Sequence, residues 1–210
     1  MNHTIICIGR QYGSGGREIG EKLAKHLNIT CYDKLLIKQA AKEAGLSEET
    51  VEADDEQPIG LATMVSGNTF ADSITLGETF YSEKEHVFDA ERNVILEIAA
   101  KGPCVIIGRC APAILREKGY DVLSVFVYAE KDDRANRIAQ RNGIGTREAM
   151  HKADKVDRLR KRYFDFYAGT PWGEPESYDL MISSSYYGID GAAAVLAAAV
   201  AAKEAEEPVK

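Results

Sequence analysis

Apolar residues along the chain follow two alternating rhythms. Short, nearly continuous runs at Thr4–Ile8, Ile29–Tyr32, Cys104–Ile107, Val122–Tyr128 and Leu180–Ile182 predict five strands. The run VLSVFVY (122–128) shows almost no polar alternation, as expected of a strand covered on both faces. Between the runs the apolar spacing lengthens to three and four residues, the period of a helix with one buried stripe. Ile19, Leu23 and Leu27 mark such a stripe on Gly15–Leu27, and Val87, Val94, Ile95 and Ile98 mark another on Glu85–Ala100. Val156, Leu159, Tyr163 and Phe166 line one face of a helix from about Thr146 to Tyr167; an alanine-rich helix follows from Asp190 to about Glu204. Strands alternating with helices predict an α/β fold with a parallel sheet.

Two segments break the rhythm. Ala53–Ser82 is rich in Gly, Ser, Thr and acids, and a stretch of that length without periodicity inside a compact domain is ordinarily functional. Ala168–Tyr178, AGTPWGEPESY, reads as a loop by its Gly and Pro content. With no internal repeat and no linker, the 210 residues fit one domain.

Composition adds exclusions. A net charge of −7 gives no reason to expect nucleic acid or an anionic membrane as partner. No basic region precedes the apolar run Ile5–Ile8, and the longest apolar stretch, Ala192–Ala202, is about half a membrane span. The expectation is a cytoplasmic protein with no membrane partner. Cys7, Cys31, Cys104 and Cys110 form no CxxC pair and no zinc-like spacing. The first three lie in or beside apolar runs, where cysteine is a small buried hydrophobe; Cys110 falls in a predicted loop.

Candidate chemistry begins at IGRQYGSGGREIGEKLAKHL, residues 8–27. Gly13, Ser14, Gly15 and Gly16 follow a strand and open a helix, where backbone N–H groups and the helix dipole suit a phosphate. A Walker pattern beginning at Arg10 and ending its glycine on Gly15 requires lysine at 16 and Ser or Thr at 17; the chain has Gly16 and Arg17. A phosphate loop and a tight structural turn both remain open at this point. Three features favour the first. Asp33 ends the second strand, on the sheet edge where such folds bind ligands, although a helix cap is its plain alternative. Arg109 follows the third strand on that same edge, with a fork suited to phosphate oxygens or to a surface ion pair. Arg141–Arg162 holds eight Lys/Arg against three acids. Arg158 and Arg162 share a helical face within it, and Arg134, Arg137 and Arg141 form a stripe on the preceding helix that reads more simply as solvated surface.

The order GRQYGSGG, helix, CYDKLLI, VIIGR, VFVYAEKDDRANRI, DRLRKRYFDFY, YDLMIS resembles the cytidylate kinase-like branch of the P-loop nucleoside monophosphate kinases over roughly residues 4–200. The resemblance implies a P-loop NTPase three-layer α/β/α domain over 1–205 with a five-stranded parallel sheet. Its core is then 1–52, 86–141 and 168–205, its helical monophosphate-binding insert about 53–85, and its lid about 142–167. It further implies ATP and Mg²⁺, with nucleoside mono- and triphosphates as the partners. Residue by residue, Gly13, Ser14, Gly15, Gly16 and Arg17 correspond to the loop around the ATP β-phosphate, and Arg137 to an arginine near the adenine. Asp33 and Arg109 correspond to acceptor-side residues, and Arg158 and Arg162 to lid arginines around the transferring phosphoryl group, with Asp157 beside them. The chain departs from the pattern at the missing lysine and hydroxyl, so Arg17 or Arg10 is expected to replace the lysine. Neither Lys38 nor Gln39 matches the acceptor-side arginine that follows the aspartate. Two other readings stay open: a nucleotide-binding regulatory module without transfer, and a kinase for another small acceptor.

Overall fold

Five parallel strands form one sheet in the computed structural model, which describes residues 4–33 and 88–205. They are β1 (Ile5–Arg10), β2 (Thr30–Tyr32), β3 (Cys104–Ile107), β4 (Val122–Tyr128) and β5 (Leu180–Ser183), in the order β2-β3-β1-β4-β5. β1 lies at the centre, with Cys7 opposite Ile106 on one side and Ser124 on the other. The helices are α1 (Gly16–Leu27), α2 (88–100), α3 (Ala111–Glu117), α4 (Lys131–Asn142), α5 (Thr146–Ala168) and α6 (Ser184–Ala205).

Both faces of the sheet are covered, which explains why its strands lack polar alternation. Ile6, Ile8, Val105, Ile107, Val125 and Val127 face α1 and α6, against Ile19, Leu23, Leu196 and Val200. The alternate positions Ile5, Cys7, Cys104, Ile106 and Val122 pack on α2 and α3, against Val94, Ile95, Ile98, Ile114 and Leu115. Each such aliphatic side chain contributes roughly 1.5–3 kcal/mol on full burial. The predicted strands fall within two residues of those observed. The result is the three-layer α/β/α fold.

Three local expectations shift. The C-terminal helix begins at Ser184 rather than Asp190, and Gly188 (φ 67°) breaks it. By length and composition alone α6 is long and apolar enough to cross a bilayer; in this fold Ala192, Leu196 and Val200 pack in the core. The cysteine environments also differ in detail: Cys110 is buried and Cys31 only half-buried. On α5 the fully buried residues are Ala149 and Ala153, whereas Phe166 is 64% exposed. Small side chains let α5 approach Ile138 of α4 closely, and that contact sets the phase of the helix. The proposed 53–85 insert, Lys38 and Gln39 lie outside the described residues.

Candidate active site

The central strand β1 delivers the chain to its carboxyl edge at Arg10, and the loop 11–15 turns it back into α1. Gly13 (φ 81°) and Gly15 (φ 79°) occupy left-handed conformations that L side chains rarely adopt. Neighbouring side chains crowd both positions as well. A Cβ on Gly13 would stand 2.7 Å from the Ile138 side chain, and one on Gly15 would meet Ile189. Ser14 is fully buried; its hydroxyl donates to the Gln11 carbonyl (2.9 Å), and its own carbonyl accepts from the Ser184 hydroxyl (2.6 Å). No side chain caps the N-terminus of α1 among the described residues, so its first N–H groups remain available to an anion.

Arginines hold the loop from outside. Arg134 Nε donates to the Tyr12 carbonyl (2.8 Å), and Arg137 Nη1 to the Gly13 carbonyl (2.5 Å). Arg160 Nη1 donates to the Arg10 carbonyl (3.1 Å). Arg141 donates to the Tyr12 hydroxyl (2.7 Å), and the guanidinium groups of Arg141 and Arg160 lie 5.2 and 5.5 Å from the centre of the Tyr12 ring. Asp157 closes the arrangement: it accepts from the Tyr12 N–H (2.7 Å) and pairs with Arg134. Burial pushes its carboxyl above the ordinary range, against the downward pull of the Tyr12 N–H and of Arg134. The 134/137/141 stripe is therefore bound to the loop, not idle surface.

On the adjacent strand, Gly108, Arg109 and Cys110 are consecutive left-handed residues (φ 83°, 61° and 54°). Two non-glycine residues in that region are strained, and such strain gathers at functional sites. The turn buries Arg109, whose Nη1 stands 3.2 Å from Glu91 Oε1, with its guanidinium 5.9 Å from the Tyr163 ring centre. Tyr163 in turn donates to Glu91 Oε2 (3.3 Å). Burial raises the Cys110 thiol far above its usual range. Arg109, Tyr163, Phe164, Trp172 and Tyr178 line an aromatic pocket at the ends of β1 and β3. Phe126 orders two of them, lying 5.1 Å from Trp172 edge-on and 4.8 Å from Tyr178.

A second cavity of about 490 Å³ opens over the glycine loop, lined by Gly13, Gly15, Gly16, Arg17, Asp33 and Arg137 among others. The two cavities share Arg10, Ile107 and Arg160. Predicted residues thus gather here in part. Arg17 ends on Asp33 (2.8 Å) and Glu21 (2.9 Å), with its side chain 60% exposed. Arg158 and Arg162 point to the exposed side of α5, while Arg160, two residues from each, points inward. Tyr12, Glu91, Arg160 and Trp172 were not singled out in the sequence, where Arg134 reads as part of a solvated stripe and Tyr163 as one position of an apolar helix face. Arg160 was within its reach as a member of the basic cluster; Glu91 carried no local signal.

The sequence profile of the cytidylate kinase-like family matches residues 5–186. Cytidylate kinases of Pyrococcus horikoshii and Pyrococcus abyssi are 28% and 29% identical to it, each covering 93% of this chain and, respectively, 88% and 93% of their own lengths. An uncharacterized protein from Eubacterium ventriosum has a solved structure with a TM-score of 0.71 at 26% identity, covering 97% of this chain and 99% of that one. A shikimate kinase from Bacteroides thetaiotaomicron, at TM-score 0.54 and 15% identity over 94% of this chain and 98% of its own, shares the fold.

Proposed function

This chain belongs to the cytidylate kinase-like family, and on that premise we propose that it moves the γ-phosphoryl group of ATP to a nucleoside monophosphate, with CMP or dCMP as acceptor. The observation that carries the reading is the meeting of two cavities at Arg10 and Arg160. One has a glycine loop and a helix N-terminus for a triphosphate; the other has aromatic walls and a buried arginine for a base and its phosphate. An oxygen of the acceptor phosphate forms a bond to the γ-phosphorus as the bond to the β–γ bridging oxygen breaks, giving two diphosphates. Little covalent chemistry falls to the protein, so positioning and charge neutralisation carry the rate.

The loop amides and the α1 dipole fit the β-phosphate, since Gly13 and Gly15 bring no side chain of their own into the loop. Arg160, at the junction, neutralises charge on the transferring group, a role that the resemblance had placed on Arg158 and Arg162. Arg109 serves the acceptor side from the aromatic cavity, and Asp33 from the wall of the glycine-loop cavity. Mg²⁺ bound to ATP would screen the phosphates; position 17, a hydroxyl residue in the Walker pattern, is here Arg17, whose guanidinium ends on Asp33 and Glu21. Asp157 acts through the loop, holding Tyr12, rather than on a substrate.

An ADP-release panel with CMP, dCMP, UMP, AMP and GMP tests the proposal. Turnover is expected with CMP or dCMP above the other acceptors. If none releases ADP above the acceptor-free rate, transfer to these acceptors is ruled out, and calorimetric ATP binding without turnover would favour a regulatory nucleotide-binding module.

A further inference from the structure

We propose that Arg10 is the phosphate-binding cation of the loop, its side chain taking the space that a lysine at position 16 would need. What the cation does rests on the phosphotransferase reading; where it lies rests on packing. Gly13 and Gly15 are accounted for by their positive φ. Gly16 is not: it lies in the first turn of α1 with no positive φ, where glycine is less favourable than alanine. Its reason is steric. A Cβ at 16 would come within 2.6 Å of Arg10 Cβ and 3.1 Å of Arg10 Cγ.

From there the Arg10 side chain crosses to the turn after β3. A Cβ on Gly108 would run into Arg10 Nη1 and lie 3.3 Å from Cζ. Gly16 clears the root of the arginine, and its guanidinium lies against Gly108, where the positive φ already requires glycine. The guanidinium therefore lies at the turn after β3, beside Arg109, while the stem of the side chain passes the first turn of α1, and Arg10 lines both cavities. In the Walker pattern, the position of Arg10 is glycine and that of Gly16 is lysine. The two arrangements exclude each other: a loop has glycine at the first position with lysine at the second, or it has Arg10 with Gly16. Arg17, the other candidate, is turned toward Asp33 and Glu21. Its geometry assigns it to orienting Asp33.

The test uses the full chain and two readouts, turnover and calorimetric affinity for ATP relative to AMP. Arg10→Met keeps the stem against Gly16 and removes the charge, and thermal melting checks its folding. Arg10→Met is expected to weaken ATP binding ten- to a hundredfold, on the order of one charge-assisted contact to phosphate, while AMP affinity moves less than threefold. Gly16→Lys alone collides with Arg10 and should also lose ATP affinity. The exchange Arg10→Gly with Gly16→Lys should recover at least tenfold over Arg10→Gly alone. Arg17→Met should act mainly on acceptor KM through Asp33. The assignment is overturned if Arg10→Met binds ATP as the parent does, if the exchange recovers nothing, or if Arg17→Met causes the triphosphate-selective loss. Absence of turnover in the parent would defeat the transferase reading, yet the ATP-to-AMP ratio would still decide the place of the cation.

Discussion

Asp157→Ala removes the side chain that holds both the Tyr12 N–H and the Arg134 guanidinium. The two charged side chains are only 15% and 6% exposed, so solvent screening discounts little of the pair. Breaking such a pair by deleting one member leaves a buried charge with fewer contacts, which costs about 3–5 kcal/mol. The lost acceptor for the Tyr12 N–H falls within that figure. Urea unfolding should show this loss, and a double variant with Arg134→Met should cost clearly less than the sum of the two singles. Burial lifts the Asp157 carboxyl above its ordinary value of 3.8. The folded state therefore keeps the proton to higher pH than the unfolded chain. Stability tied to that proton is present at acid pH and declines as pH rises through the folded value. Asp157→Asn keeps an acceptor for Tyr12 and sheds this dependence. Its cost should be smaller than that of alanine, and should shrink as pH rises from the ordinary carboxyl value of 3.8. An alanine variant within about 0.5 kcal/mol of the parent, or strict additivity with Arg134→Met, would refute the reasoning.

Two further outcomes follow from the same geometry. Arg160→Met should lower kcat by about 10²–10³, and by more than Arg158→Ala or Arg162→Ala does, because Arg160 reaches the junction of the cavities and the other two face solvent; steady-state kinetics with the preferred acceptor ranks the three. Burial pushes the Cys104 thiol up to about 11 and that of Cys31 up to about 12. At pH 8 the thiolate of Cys104 is then only about a thousandth of the total. Iodoacetamide labelling followed by mass should leave the folded protein nearly untouched and modify all four cysteines after unfolding.

The sheet was legible because burial on both faces writes itself as unbroken apolar runs, and all five such runs became strands. The phosphate loop was legible because two of its glycines answer a backbone need. Helix phase on α5 was not. Its inward stripe runs Ala149, Ala153, Asp157, Arg160, Phe164, in steps of three and four residues. Two alanines and two charged residues in that stripe carry little hydrophobic signal. The periodicity of Val156, Leu159, Tyr163 and Phe166 therefore selected a neighbouring face, and Arg158 and Arg162, chosen for their four-residue spacing, lie on the exposed side. The partner of Arg109 was hidden for another reason. Glu91 stands on α2 among apolar residues, and only the tertiary fold brings it to the turn after β3.

The missing lysine looks different once the loop is seen with its surroundings. Carbonyl oxygens of Arg10, Tyr12 and Gly13 each accept from an arginine, supplied by α5 or α4. Those bonds occupy acceptors that would otherwise repel a phosphate, and they set three fixed positive charges around the loop. Arg160, and Arg141 through the Tyr12 hydroxyl, tie the 141–162 basic cluster to the loop. A loop held in this way keeps its shape without a ligand, so the cation facing the substrate need only be near, not on one particular residue. Arg10 meets that condition from the end of β1. In doing so it imposes a constraint that the Walker pattern lacks: position 16 must stay without a side chain for as long as the arginine remains.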